Sequence, residues 1–378
     1  MSHLLARKNP IRRIQRSFSL AFLLLLLVAA NIAAPRKSIS TEPDIFTKCW
    51  EYKVNAKLDV GPAVDTISVY FLDDENRLNG VDLAAGTKLW SSEIGGKVVS
   101  NLLVLEDSIL FVTSSQLDAS NPVSKTMLRA ISRRTGITDW SAEVVSSPLM
   151  WIGSVGGNVI AVGSDGMVSA SANGGGKLIW QTDLKSRVTA MPYFNKSGIE
   201  IGTEKNEVLN VAGSDGLVRV DWKAKYLPTA VLLDPNGRLV VGDERGNFMS
   251  VSSGGDRIWG FRNGAQISSA TLYGSDYVAA SYDNFLYKLS RSGDVKWKRR
   301  LSGRVNDGPF ILGDTAVVSV VGTGSVYVLD LKKGKISNRI EVGDEVSLRV
   351  AAAANGSGFA IAGPAGISYF SSTKCLAK

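Results

Sequence analysis

The chain is predicted to be all-β: an eight-bladed β-propeller of four-stranded antiparallel blades, closed by an N-terminal strand, with seven blades as the alternative count. Three observations point there. A glycine that ends a turn recurs at Gly86, Gly136, Gly176, Gly216, Gly255, Gly293 and Gly334, at spacings of 50, 40, 40, 39, 38 and 41 residues. A Trp stands four positions after most of them, at Trp90, Trp140, Trp180, Trp259 and Trp297, while Val220 and Asn338 replace it after Gly216 and Gly334. Each period also holds several short β-like runs, and no helical apolar period is seen beyond the N-terminus. A fixed period of about forty residues marks a solenoid, propeller or array.

Within a period, the run before each motif strand is apolar and often β-branched: 66–73, 108–115, 158–164, 238–244, 277–283 and 315–322. Shorter runs precede most of these, at 101–106, 147–153, 229–234, 269–274 and 307–313. Turn residues separate the runs, as in Asp234-Pro235-Asn236-Gly237 and Gly163-Ser164-Asp165-Gly166. Such residues tolerate positive φ or bond their own backbone. Four short strands per period make one blade.

Ring closure follows from what is left over. After Asn338 the chain offers strands at 347–354, 358–364 and 366–371, three of the four a last blade needs. The segment 48–54 is strand-like, and its Trp50 precedes Trp90 by one period of 40 residues. Donated by the N-terminus as an outer strand, it pairs an edge that would otherwise be open. Cys49 and Cys375, the only cysteines, then fall on neighbouring segments of that final blade. In an oxidising compartment they are expected to form a structural disulfide.

The motif itself carries a resemblance. It reads Asn79-Gly80-Val81-Asp82-Leu83-Ala84-Ala85-Gly86-Thr87-Lys88-Leu89-Trp90, and again from Gly166 to Trp180 and from Phe285 to Trp297. This pattern resembles the repeat of the quinoprotein-type, or PQQ-like, β-propellers, from about Lys48 to the C-terminus. The resemblance implies that each Trp packs between neighbouring blades. The plan of an exported ring is similar to the outer-membrane assembly factors of that class, which implies a non-catalytic scaffold and an envelope partner such as an outer-membrane assembly complex. Those proteins are lipoproteins. Here Cys49 lies far beyond the apolar N-terminal core and does not fit a lipidation site.

Compartment is read from residues 1–40, which hold seven basic residues and no acid, with an apolar core at 18–30. This is a secretory signal, with Val28-Ala29-Ala30 as the cleavage site, or an uncleaved anchor spanning 18–34. The expected organisation is 1–34 signal or anchor, 35–46 linker and 47–378 propeller, exported to the periplasm, anchored facing it, or secreted. Seven of the eight net positive charges lie in the first forty residues, so the basic pI is no argument for nucleic acid. One local cluster remains: Lys296, Lys298, Arg299 and Arg300, with Arg304. It reads as a solvated edge or as a docking patch for an acidic partner or lipid headgroups.

Catalytic chemistry is sparse. The only histidine is His3, in the targeting segment, which removes Ser-His-Asp, Cys-His and common zinc arrangements from the exported part. The acids 73–75, 243–244 and 344–345 sit at expected turns as solvated loop acids. Quinoprotein dehydrogenases bind PQQ with Ca²⁺, and many carry adjacent cysteines over it. This chain has neither the Cys pair nor an insertion that could roof a cofactor, its longest deviation being ten residues near 114–125. Asn173-Gly174-Gly175-Gly176-Lys177 lacks the Ser or Thr and the helix of a phosphate loop. Trp151 and Trp222 fall outside the repeat slot and are expected to fill core. The reading is a monomeric, non-enzymatic, cofactor-free and metal-free scaffold. The alternative is a carboxylate-dependent hydrolase or saccharide-binding propeller, recognisable by two facing acids in a central pocket.

Overall fold

The computed structural model describes residues 45–118, 121–343, 347–353 and 355–375. All regular structure among them is β. The signal or anchor, most of the linker and the acids 344–345 lie outside the described residues.

Eight antiparallel sheets follow one another along the chain; seven have four strands, and that of blade two has five because its inner strand is broken. Blade one runs through Ala63–Val64, Ser68–Leu72, Arg77–Asp82 and Lys88–Glu93. Blade two ends at Thr138–Glu143, blade three at Leu178–Asp183, blade four at Val218–Lys223, blade five at Arg257–Arg262, blade six at Val295–Arg300 and blade seven at Ile336–Glu341. Blade eight consists of Arg349–Ala352, Gly358–Gly363, Gly366–Ser371 and, outermost, the N-terminal Thr47–Lys53. Trp50 pairs with Tyr369 there, and Glu51 with Ser368. The eight-blade count and the closure by the N-terminal strand both hold.

Burial explains why the residue types differ by strand. The second and third strands are covered on both faces by adjacent blades, so Thr315–Val320 and Asp276–Ser281 are buried throughout. Such strands read as continuous apolar runs. Outer strands are covered only on alternate residues; Arg257–Arg262 buries Trp259 and exposes Ile258 and Gly260. There is no single core. Apolar clusters form wedges, each made by the facing sides of two successive blades, such as Val69, Val81, Ala360 and Tyr369 between blades eight and one.

Blade two departs from the repeat. Its inner strand is broken into Lys97–Val98 and Leu103–Val104, and its middle hairpin lengthens to Ser108–Asp118 and Asn121–Ser132. The extra residues seen in the sequence therefore extend a hairpin. In blade three, Gly153 lies inside the strand Met150–Val155, where a β-carbon would stand 2.4 Å from the Phe194 ring. Phe46 is buried in the wedge between blades seven and eight, so packing begins at the end of the predicted linker.

Candidate functional site

The repeat residues build the joints between blades. At six joints the slot Trp of one blade lies on the turn glycine of the next, which holds positive φ. A β-carbon on Gly86 would stand 2.5 Å from Trp50, one on Gly136 2.6 Å from Trp90, and one on Gly176 2.5 Å from Trp140. Trp180 covers Gly216, Trp259 covers Gly293 and Trp297 covers Gly334 in the same way. The indole N–H donates to the carbonyl three residues before that glycine. Trp50 reaches Leu83 at 2.7 Å, Trp90 reaches Arg133 at 2.8 Å, Trp180 reaches Gly213 at 3.0 Å and Trp297 reaches Leu331 at 2.9 Å. Trp259 keeps the packing, but its buried Nε1 has no partner among the described residues.

The two repeats without Trp diverge. In blade seven, Asn338 takes the slot and uses it as a clamp. Its Oδ1 accepts from the Ile45 N–H at 3.1 Å and the Phe46 N–H at 3.4 Å, and its Nδ2 donates to the Phe46 carbonyl at 3.0 Å. The chain thus enters the ring where an indole would otherwise sit. Just along the chain from Phe46, Cys49 is bonded to Cys375, with Cα atoms 5.3 Å apart and a sequence separation of 326. In blade four, Val220 does not fill the slot and is 50% exposed. Trp222 replaces it loosely, 3.8 Å from the β-carbon position of Gly255. Core filling was expected of Trp222, but its place at a joint was not. Trp151 packs partly into the wedge between blades three and four.

At the axis, inner-strand side chains tie each blade to the next. Asn101 exchanges two bonds with Ile152, at 2.9 and 3.1 Å. Thr189 donates to the Pro228 carbonyl, Thr229 to Ile267 and Ser269 to Gly308, each at 2.7 Å. Asp307 accepts from the Val350 N–H at 3.0 Å, and Arg349 Nε donates to the Leu58 carbonyl at 2.8 Å.

Where the inner strands of blades one and two are short, a cavity of about 1100 Å³ opens between blades seven, eight, one, two and three. Its acids are Asp59 and Asp307. Lys97 lies 3.7 Å from Asp59, and Arg349 lies 3.7 Å from Asp307. Burial pushes the Asp307 carboxyl above its usual range, against the pull of the Val350 N–H and the Arg349 guanidinium. Exposed Met191 and Leu149, 67% and 48% accessible, line the same opening. Among the described residues no group of three or more His, Cys, Asp or Glu side chains is arranged to hold a metal ion.

The turn acids need a correction. Asp73 and Asp243 are buried, not solvated. Asp73 accepts from the Arg77 N–H and Nε and from Asn79, while Asp243 accepts from the Arg245 and Asn247 N–H groups and the Asn247 amide. They close the turns between the middle strands as Asx-type caps. A buried acid that no motif marked is Glu200, on the second strand of blade four, only 2% exposed.

The basic cluster is partly committed to the fold. Lys296 pairs with Asp276 at 2.8 Å, and Asp276 also holds the buried Lys288 at 3.1 Å. Arg299 Nε donates to the Gly334 carbonyl at 2.5 Å. Lys298 lies over the Phe285 ring and Arg304 over Tyr282. Arg300 is exposed at the end of the outer strand.

These features define a closed eight-bladed ring whose repeat residues serve the joints, with a central cavity whose acids stand beside bases. The chain belongs to the family described as outer membrane protein assembly factor BamB, whose model matches residues 47–224, 124–253 and 235–363. It is 23% identical over 292 residues to the outer membrane protein assembly factor BamB of Yersinia pestis, covering 75% of this chain and 65% of that one. The crystal structure of BamB from Moraxella catarrhalis superposes with a TM-score of 0.66 at 15% identity, covering 86% of this chain and 99% of that one. The computationally designed Ika8 protein superposes with a TM-score of 0.71 at 13% identity over 86% of this chain and 99% of its own. At such identities the two structures speak for the fold alone.

Proposed function

We propose that this chain is a non-catalytic, protein-binding scaffold of the cell envelope that serves outer-membrane protein assembly. The carrying observation is the central cavity. Each of its acids stands beside a base, Asp59 by Lys97 and Asp307 by Arg349, and exposed Met191 and Leu149 line the opening. Glycoside hydrolysis uses two carboxylates flanking the scissile bond, with separations of about 5–9 Å. Here both acids are drawn into pairing or inter-blade bonding. A mouth of Met and Leu beside paired charges suits a protein segment, since Met-rich surfaces adapt to varied partners. The family match supports the assembly role, and the basic N-terminal segment with its apolar core supports export.

The saccharide-binding reading draws on the cavity volume and on the raised Asp307 carboxyl. One experiment separates the two. A photo-crosslinking residue at Met191 or Leu149, in protein expressed in its own envelope, should capture a discrete envelope protein, whereas the same probe at Arg300 should not. Equal capture at all three positions, or crosslinking at Met191 abolished by envelope glycan fragments, would defeat the scaffold reading.

A further inference from the structure

Blade four is wired differently from its neighbours. In blades one, three, five, six and seven the irregularity against the outer strand falls just after the slot pair, for example between Gly80 and Val81 or between Ala170 and Ser171. In blade four it falls between Val208 and Leu209. Leu209 pairs with Val220 and Val208 with Trp222, so Asp221 becomes the unpaired bulge residue. Val220 leaves the slot, Trp222 reaches it only loosely, and a buried acid stands on the second strand of the same blade. Glu200 pairs with Asn210 at a register position where the other blades carry apolar or aromatic side chains, from Ala360 and Val240 to Leu110 and Tyr70.

Glu200 Oε1 accepts from Asn210 Nδ2 at 2.8 Å and from Asn195 Nδ2 at 3.4 Å. Its buried Oε2 has no donor among the described residues, and the Asp221 carboxyl is near enough to act on the Glu200 carboxyl. Two ionised carboxylates are acceptors only, so in contact they repel unless one carries a proton.

We propose that the buried Glu200 carboxyl keeps its proton in the native state, and that this makes the joint between blades four and five a proton-sensitive joint that loosens when the proton is lost. Among the described residues neither the Glu200 nor the Asp221 carboxyl has a recorded ion-pair partner. Lys223, on the same outer strand, is held by Glu207 at 3.7 Å, and Arg219 is exposed beyond Asn210. Blade five contributes Val231, Val241 and Met249 to the wedge across this joint. Tyr193, opposite Glu200 on the inner strand, is itself raised by burial and by the Glu200 charge. Burial raises Glu200 to about 7, with Asp221 pushing the same way against the Asn210 amide. The native state therefore holds the proton more tightly than the unfolded chain, whose Glu titrates near 4.3. The stabilisation is complete below that value and is lost as the pH rises through about 7.

The test compares the full chain with Glu200→Gln and Asp221→Asn by thermal melting and amide hydrogen exchange from acidic to alkaline pH, with and without Ca²⁺. The wild type should lose several degrees of Tm relative to Glu200→Gln across neutrality. Faster exchange should be concentrated in 207–211 and 218–223. Asp221→Asn should move the midpoint to lower pH. An unchanged profile in Glu200→Gln overturns the proposal. If that variant does not fold, an unmoved midpoint in the exposed Asp221→Asn does the same. Rescue of the wild type by Ca²⁺ at alkaline pH would also overturn it, identifying a cation site instead.

Discussion

The ring of Trp90 stands where a β-carbon of Gly136 would be: Cε3 lies 2.6 Å from that position. The glycine also holds φ at +72°. Gly136 is therefore required twice, once by its backbone and once by its neighbour. Gly136→Ala should destabilise the ring by about 2–4 kcal/mol, combining left-handed strain of 1–2 kcal/mol with overpacking. Trp90→Ala should cost about 3–5 kcal/mol and leave the Arg133 carbonyl without its indole donor. Urea unfolding midpoints check both. A Gly136→Ala midpoint equal to wild type would show that the indole can yield.

The Cys49–Cys375 bond joins the two ends of the ring across 326 residues. Cys49→Ser should lower stability by about 2–5 kcal/mol, the range for loss of a native disulfide. Proteolysis should then begin at the 47–53 strand. Non-reducing peptide mapping should find both cysteines in one linked species.

Asn338 clamps Phe46 where the repeat calls for Trp. Restoring the consensus with Asn338→Trp should therefore destabilise, because an indole cannot supply the acceptor for the Ile45 and Phe46 N–H groups and competes with Phe46 for space. Asn338→Ala should also destabilise, by about 1–3 kcal/mol for buried polar groups left unpaired. A higher melting temperature in Asn338→Trp would show that consensus outweighs the clamp.

Asp234 contributes to the acid limb, as do Asp73 and Asp276. Burial opposes its ionisation, but the Arg238 and Asn236 N–H groups and the Arg238 guanidinium at 2.8 Å outweigh that and hold it below the usual carboxylate range. A depressed native value stabilises above the unfolded value near 3.9, and this is lost as the pH falls through the native one. Asp234→Asn should be less stable than wild type at neutral pH and nearly equal to it in strong acid. Denaturant midpoints across that range decide it; a constant difference would exclude the carboxylate.

The blade count was legible because the repeat is local. A positive-φ glycine and a Trp four residues on mark one turn and one outer strand, whatever lies across the joint. Closure was legible because three strands remained after Asn338 and a matching strand stood at Trp50. Burial of Asp73 and Asp243 was not legible, because a turn acid and a buried turn cap have the same sequence; only the neighbouring blade decides whether water reaches them.

By itself, the sequence determined the all-β ring, its eight-fold period, the pairing of its ends and the absence of histidine chemistry beyond His3. These depend on spacing and residue type, which a chain carries before it folds. Tertiary structure alone decided that Asn338 receives Phe46, that Asp59 and Asp307 stand beside bases at the cavity, and that Asp221 is near enough to act on Glu200. Each of these relations joins residues on different strands or blades. A shift of two residues in where blade four bulges brought Trp222 towards the joint and Asp221 towards Glu200, a cross-strand register that no local residue pattern announces.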